Sequence, residues 1–269
     1  MKDETLSREE IETLLGMNAA GSREGGPAAP AEVPLLSRPL EPLYSEHPQT
    51  VALFLVALRP EDAAALLTGL DYAEQADIAQ RIARFEPTET AAVKAPAIVE
   101  TLSAAVKEAA GIDVVADAAG SFSAMPGALL LASILEHCPY GTRRRVLLEL
   151  ADRDREAAWG LRCHVFVFDD LYSLSDGSAG KIFSAAGRED LARAMRGAGT
   201  ELREKIYRVL PRERSLELKE LLDWGGAVAT RVVEEAQERI VEIAKDLARQ
   251  GLIDPAAEFR HRDANGLRD

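Results

Sequence analysis

Residues 46–85 read EHPQTVALFLVALRPEDAAALLTGLDYAEQADIAQRIARF, and where this stretch breaks decides the fold. The apolar run from Val51 to Leu58 stops at Arg59-Pro60. Proline lacks an amide hydrogen, which is no loss in the first turn of a helix, so Pro60 reads as a new start. Glu61 and Asp62 then fall where the helix dipole favours acids. Gly69 and Pro87 punctuate the next joins. The spacing predicts helices over about 48–58, from 60 onward, and over 72–85. A fourth is expected over 88–109, with Pro96 as a kink or break.

Short helices with short connections make an antiparallel stack. No strict repeat is present, but the layout resembles an armadillo-like solenoid. Further along, GIDVVADAAGSFSAMPG (111–127) carries three glycines and a proline with weak periodicity, so residues 116–127 read as a flexible joint. Helical patterning resumes over 128–254. LLLASILEHC, TRRRVLLELADRD and REAAWGLRCHVFVF form one cluster, followed by helices over roughly 177–186, 188–197, 200–210, 211–224 and 228–250. In the last of these, Val233, Ala236, Ile240, Ile243, Ala244 and Leu247 share one stripe, and Gly251 is a stop signal. The expected organisation is all-α: a helical stack over 43–115 and a second over 128–254, itself divided at 163/164. Residues 255–269 are charged and expected to fray.

Bulk properties agree. Charged residues reach 29% and aromatics only 5%, a mixture dominated by Ala and Leu that favours helices over sheets. The formal net charge of -13 would repel phosphate backbones and anionic headgroups, which argues against nucleic-acid or direct membrane binding as a main role. No apolar run approaches the ~20 residues that span a bilayer, and the charged N-terminus does not read as a signal peptide, so a cytosolic protein is expected. Cys138 and Cys163 do not make a disulfide framework.

Residues 5–15, TLSREEIETLL, form a short island ahead of a Pro/Gly/Ala linker over 16–42. Ser7 and Glu10 make a capping box, and Leu6 and Ile11 stand at staple positions. Ile11, Leu14 and Leu15 share one face. Such a peptide either folds on a partner or lies frayed on its own domain; the residues leave both open.

Catalytic patterns are missing. There is no phosphate-cradling glycine loop and no nucleophile elbow, and Asp169-Asp170 is a carboxylate pair without a basic partner in sequence. His137-Cys138 and Cys163-His164 contain metal-ligating types, but helix neighbours diverge by about 100°, so buried helix residues are the better reading. Arg143-Arg144-Arg145 is expected to form a solvated face or to pair with nearby Glu149 and Asp152. Residues 193–220 alternate in charge, from Arg193, Arg196 and Glu201 to Glu217, Lys219 and Glu220. They form either a laced helix surface or a steering face for a charged partner.

EHPQT, followed by an apolar helix and a proline-started helix, resembles the middle domain of the FliG family of flagellar motor switch proteins. HVFVFDDLYSL (164–174) is similar to the hinge inside that family's C-terminal domain. LARAMRGAGTELREKIYRVL (191–210) and VVEEAQERIVEIAKDLARQGLI (232–253) resemble its final helices. The resemblance covers about 43–254 and implies no enzyme and no cofactor. It implies that Glu46, His47, Pro48, Gln49 and Thr50 contact the switch protein FliM. Pro126 and Gly127 would fall at a glycine joint, and Phe166, Val167 and Phe168 at a pivot. Arg196, Glu213 and Glu220 would face the stator protein MotA, and neighbouring FliG-like subunits would complete a ring beneath the inner membrane.

The pattern also departs. Residues 1–42 are too few for the family's N-terminal domain, which is expected to be absent. Glu213, Leu221 and Ala229 stand where a basic residue, an acid and an arginine are expected. LSREEIETLL (6–15) resembles the FliM tail that captures phosphorylated CheY, with Leu6, Ile11, Leu14 and Leu15 as anchors, Ser7 as cap and Glu10 completing the box. The rival is a non-flagellar armadillo-like regulator of the magnesium-channel kind, whose likeness would not extend over 164–253.

Overall fold

The prolines and glycines that break the sequence also break the chain. In a computed structural model, which describes residues 40–86, 89–116, 125–224 and 226–266, a short turn of helix α1 (Glu41–Tyr44) leads into α2 (Pro48–Val56), α3 (Pro60–Gly69) and α4 (Tyr72–Ala83). Pro42, Pro48 and Pro60 each sit in a first turn. A continuous α5 (Glu89–Ala110) runs through Pro96, so no break occurs there. It ends at Gly111, whose φ of 71° suits a residue without a side chain.

The second run comprises α6 (Gly127–His137), α7 (Tyr140–Arg153), α8 (Arg155–Arg162) and a 3-10 helix (Phe168–Ser173). Then follow α9 (Asp176–Ala185), α10 (Arg188–Met195), α11 (Thr200–Val209), α12 (Arg212–Trp224), α13 (Thr230–Arg249) and α14 (Pro255–Gly266). The fold is all-α. Among the described residues, β pairing is limited to an isolated bridge between Leu58 and Ala116.

Two predicted elements differ. The helix expected to run from 155 to Phe168 stops at Arg162, and residues 164–167 run on to the 3-10 helix. Val165, Phe166 and Val167 are all buried, so this segment has no polar face to give it a helical period. The C-terminal stretch expected to fray is helical over 255–266 and fully buries Phe259.

The described residues form one compact unit, and its core holds residues on both sides of 117–124, with Val114 and Met125 packed against it. α6 packs on α3 and α4, and α7 packs on α4 and on α13, so residues 128–153 touch both halves. Farther on, α10 lies against α13 and α12, and α9 against α11. The α13 stripe buries Val233, Ala236, Gln237, Ile240, Val241 and Ala244; Ile243 and Leu247 lie at its edge. At its end the Leu252 amide donates to the Leu247 carbonyl at 2.9 Å and Gly251 takes φ 70°, a Schellman stop.

Candidate interaction surfaces and hinge

The EHPQT segment starts α2 and stays accessible. His47 is the cap: its Nδ1 accepts the Gln49 amide at 3.1 Å, which satisfies one orphan donor of the first turn. Glu46, His47 and Gln49 are exposed, and Pro48 and Thr50 are half-buried. The Gln49 side-chain oxygen accepts from Arg81 Nη1 at 3.3 Å, and Arg81 Nε pairs with Asp77 at 2.9 Å. The surface therefore extends from α2 onto α4, which EHPQT alone does not reveal.

The joint residues are tightly built. Pro126 caps α6, and the Gly127 amide donates to the Phe85 carbonyl at 3.1 Å. A side chain at Gly127 would meet the Ile82 carbonyl at 2.0 Å, so here glycine serves close approach of backbones. Residues 117–124 of the expected linker lie outside the described residues.

The segment expected to be a pivot is packed and tied by polar groups. Phe168 is fully buried with its ring 6.4 Å from Phe183, and Phe166 is 6.0 Å from Phe259. The Phe168 amide donates to the Tyr140 hydroxyl at 3.1 Å, and that hydroxyl donates to Gln237 Oε1 at 3.4 Å. Gln237 Nε2 in turn donates to the Ala194 carbonyl at 3.0 Å, so one buried relay joins α7, the pivot, α13 and α10. Burial pushes the Tyr140 phenol up, which keeps it a neutral donor.

The two expectations for charge near the pivot need correction. Asp169 and Asp170 do have basic partners. Arg144 grips Asp169 with two bonds of 2.6 and 2.9 Å, and Arg162 Nε lies 2.7 Å from Asp170. The arginine triplet is not a solvated face paired within its own helix. Arg143 is buried and reaches Glu238 at 2.7 Å, while Arg145 stacks 3.7 Å over the Tyr72 ring. Glu149 pairs with Arg153 instead, at 2.9 Å. These partners are remote in sequence, so helix spacing could not find them.

Of the residues expected to face a stator, Glu213 and Glu220 are exposed on α12. Arg196 is half-buried, and its Nη2 donates to the Leu222 carbonyl at 3.2 Å. Arg144 also donates to the Gly197 carbonyl at 3.3 Å, which brings the pivot and the Arg196 turn together. Leu221 is 40% exposed on the same helix. Around them, Arg208 pairs with Asp176 at 2.9 Å, and Arg214 donates to the Ser184 and Ala186 carbonyls. Much of the basic charge over 193–220 therefore ties helices together. The tail residues Leu6, Ser7, Glu10, Ile11, Leu14 and Leu15 lie outside the described residues.

The His-Cys pairs sit at helix ends, where only His137 is helical, and their members part between core and surface. Cys138 is buried with its thiol pushed up to about 11 by burial, and Cys163 is half-buried, while His137 and His164 are exposed. Both histidines therefore depart from the buried helix positions expected of them.

α4 and α8 meet at Arg84 and Asp154. Asp154 also caps α8 by accepting the Ala157 amide at 3.1 Å. The Arg84 guanidinium holds the Asp154 carboxyl below its ordinary value of 3.8. A depressed carboxylate stabilises the fold fully above that ordinary value and loses the contribution as pH falls through the lower folded one. Urea unfolding from pH 5 to 2.5 should therefore show a loss of stability that Asp154→Asn makes shallower. Identical slopes in the two proteins would refute the assignment.

Stacked short helices with an exposed helix start and a packed, non-helical segment at 165–167 define an all-α helical-stack protein. The FliG middle-domain family matches residues 40–109 and the FliG C-terminal-domain family matches residues 148–254. The chain belongs to the FliG family through these two domains. It is 33% identical over 211 residues to flagellar motor switch protein FliG of Thermotoga maritima, covering 78% of this chain and 60% of that protein. The Bacillus subtilis FliG is 27% identical over the same shares. The chain thus spans about 60% of the length of these relatives. A crystal structure of FliG residues 86–343 from H. pylori covers 80% of this chain and 92% of its own, at 22% identity and a TM-score of 0.37. The family assignment rests on the sequences.

Proposed function

We propose that this chain is a component of the flagellar rotor and switch complex that works by protein–protein contact. The observation that carries the reading is the accessible start of α2, where Glu46, His47 and Gln49 stand clear of the core and Arg81 and Asp77 extend the same surface. On this reading that surface binds a FliM-type partner. Neighbouring FliG-like subunits stack beside it in a ring peripheral to the inner membrane. The exposed charges Glu213 and Glu220, with Arg196 at their edge, meet MotA. Torque and switching then arise from rigid helical layers turning about residues 166–168. Among the described residues no helix is long and apolar enough to cross a membrane, which fits peripheral attachment. The tail at 6–15 supplies the contact for phosphorylated CheY.

Pull-down of the full chain with a FliM-type protein tests the central claim. Gln49→Ala and Arg81→Ala should each weaken recovery by about fivefold or more, the effect of losing one interface anchor worth roughly 1 kcal/mol. Glu213→Ala, on a different face, should leave recovery unchanged. Equal recovery of all three variants and the parent would reject the interface.

A further inference from the structure

α14 starts just past residue 254, where the match to the FliG C-terminal-domain family ends, yet it is joined to both sides of the pivot. On the side before the pivot, Phe259 is fully buried with its ring 6.5 Å from Trp159 of α8, and it also packs 6.0 Å from the pivot's own Phe166. The Cys163 thiol points to the Ala256 carbonyl at 3.9 Å. On the side after the pivot, the Glu258 carboxylate accepts from the Ser175 amide, the Ser175 hydroxyl and the Ser178 hydroxyl. Ser175 is itself the cap of α9, taking the Ser178 amide at 3.2 Å. Lys181 of α9 adds a bond of 2.8 Å to the Leu252 carbonyl in the connection leading to α14. Adjacent residues, Glu258 and Phe259, thus grip opposite sides of the 164–174 segment.

We propose that α14 is a latch across the pivot: docked, it holds α8 and α9 in one relative orientation, and its release frees the segment between them. A covalent chain passing through 166–168 constrains position but leaves torsions free. A third element bonded to both flanks removes freedom beyond what the Tyr140, Arg144 and Arg162 contacts already hold, and its undocking restores that part. The Asp254 carboxylate caps α14 by accepting the Ala257 amide at 2.9 Å, so the helix start is held independently of the docked face. This inference does not depend on the rotor reading, because it concerns the motion of the isolated chain.

Amide hydrogen exchange on the full chain tests it. The reporters are the amides of Val165, Val167 and Phe168, none of which bonds to α14. Segments 51–56 and 236–244 serve as internal controls. Phe259→Ala and Glu258→Gln should each speed exchange at the reporters by about tenfold or more, with the controls unchanged. Unchanged reporter exchange in both variants would overturn the latch. So would acceleration spread equally over reporters and controls, since α14 would then be ordinary core.

Discussion

Gly127→Ala is expected to lower the stability of the chain by about 3 kcal/mol, the usual cost of forcing volume into a closed contact. The added methyl would lie 2.0 Å from the Ile82 carbonyl oxygen, 2.7 Å from the Phe85 nitrogen and 2.8 Å from the Phe85 oxygen. All three are backbone atoms. They are held by the last turn of α4, where the Phe85 amide bonds the Ile82 carbonyl at 2.9 Å, so no side-chain rotation relieves the clash. α6 must instead move off α4, opening the packing of Leu131, Ile134 and Leu135. Alanine gains at most about 1 kcal/mol over glycine in helix propensity, too little to compensate. Gly160 on α8 is the control, because a side chain there meets nothing within 4 Å. Gly160→Ala should be neutral or stabilising by about 0.5–1 kcal/mol. Urea midpoints of the two variants decide it: a Gly127→Ala midpoint as high as that of Gly160→Ala would remove the close approach from the account. At Pro126-Gly127, where a joint is expected, two helical layers touch backbone to backbone.

That joint shows what the sequence makes legible. Pro48 and Pro60 announce helix starts because their chemistry is local: a ring that fixes φ and a missing donor act within one turn. Gly251 announces an end for the same reason. The EHPQT cap is equally local, since His47 bonds two residues ahead. Arg81 belongs to the same surface but stands 32 residues away, and only the packing of α2 on α4 brings it there. The arginine triplet misleads by the same rule. Glu149 and Asp152 are visible at helical spacing, whereas Asp169, Glu238 and Tyr72 arrive through tertiary packing. α14 escapes because PAAEFRHRDANG offers a single large apolar residue, Phe259. Its stabilisation comes from Trp159 and Phe166, which stand 100 and 93 residues from Phe259 (259−159 and 259−166), and no periodicity can register partners at that range. Residues 165–168 fail differently, because a run buried on every side carries no period.

Asp170→Ala should be the second severe change, at about 3 kcal/mol, because it breaks a buried ion pair from one side. Asp170 is 5% exposed; one oxygen faces Arg162 Nε at 2.7 Å and the other accepts the Val167 amide at 2.9 Å. Alanine leaves a half-buried guanidinium without its counter-charge and an amide of the pivot without an acceptor. Asp170→Asn keeps an acceptor for Val167 and a side chain of the same shape, and should cost less than Asp170→Ala. Burial pushes the Asp170 carboxyl up, with Arg162 opposing. The sign of its pH dependence is therefore opposite to that of Asp154. A carboxyl raised in the folded state takes up its proton there first, so this group gains stability as pH falls through its folded value. Combining Asp170→Ala with Arg162→Met should recover part of the loss, since both charges then go together. Asp170→Ala within 1 kcal/mol of the parent, or a double variant worse than the sum of its singles, would sink the claim. Asp169 and Asp170 are neighbours in the chain, yet Arg144 comes from α7 and Arg162 from α8. Any turn about 166–168 that carries the 3-10 helix away from α7 and α8 must break both pairs and the Tyr140 bond to Phe168 together. Intermediate orientations would leave buried charges exposed to a low-dielectric interior without partners. If residues 166–168 act as the proposed pivot, such an arrangement favours discrete end states over a continuum.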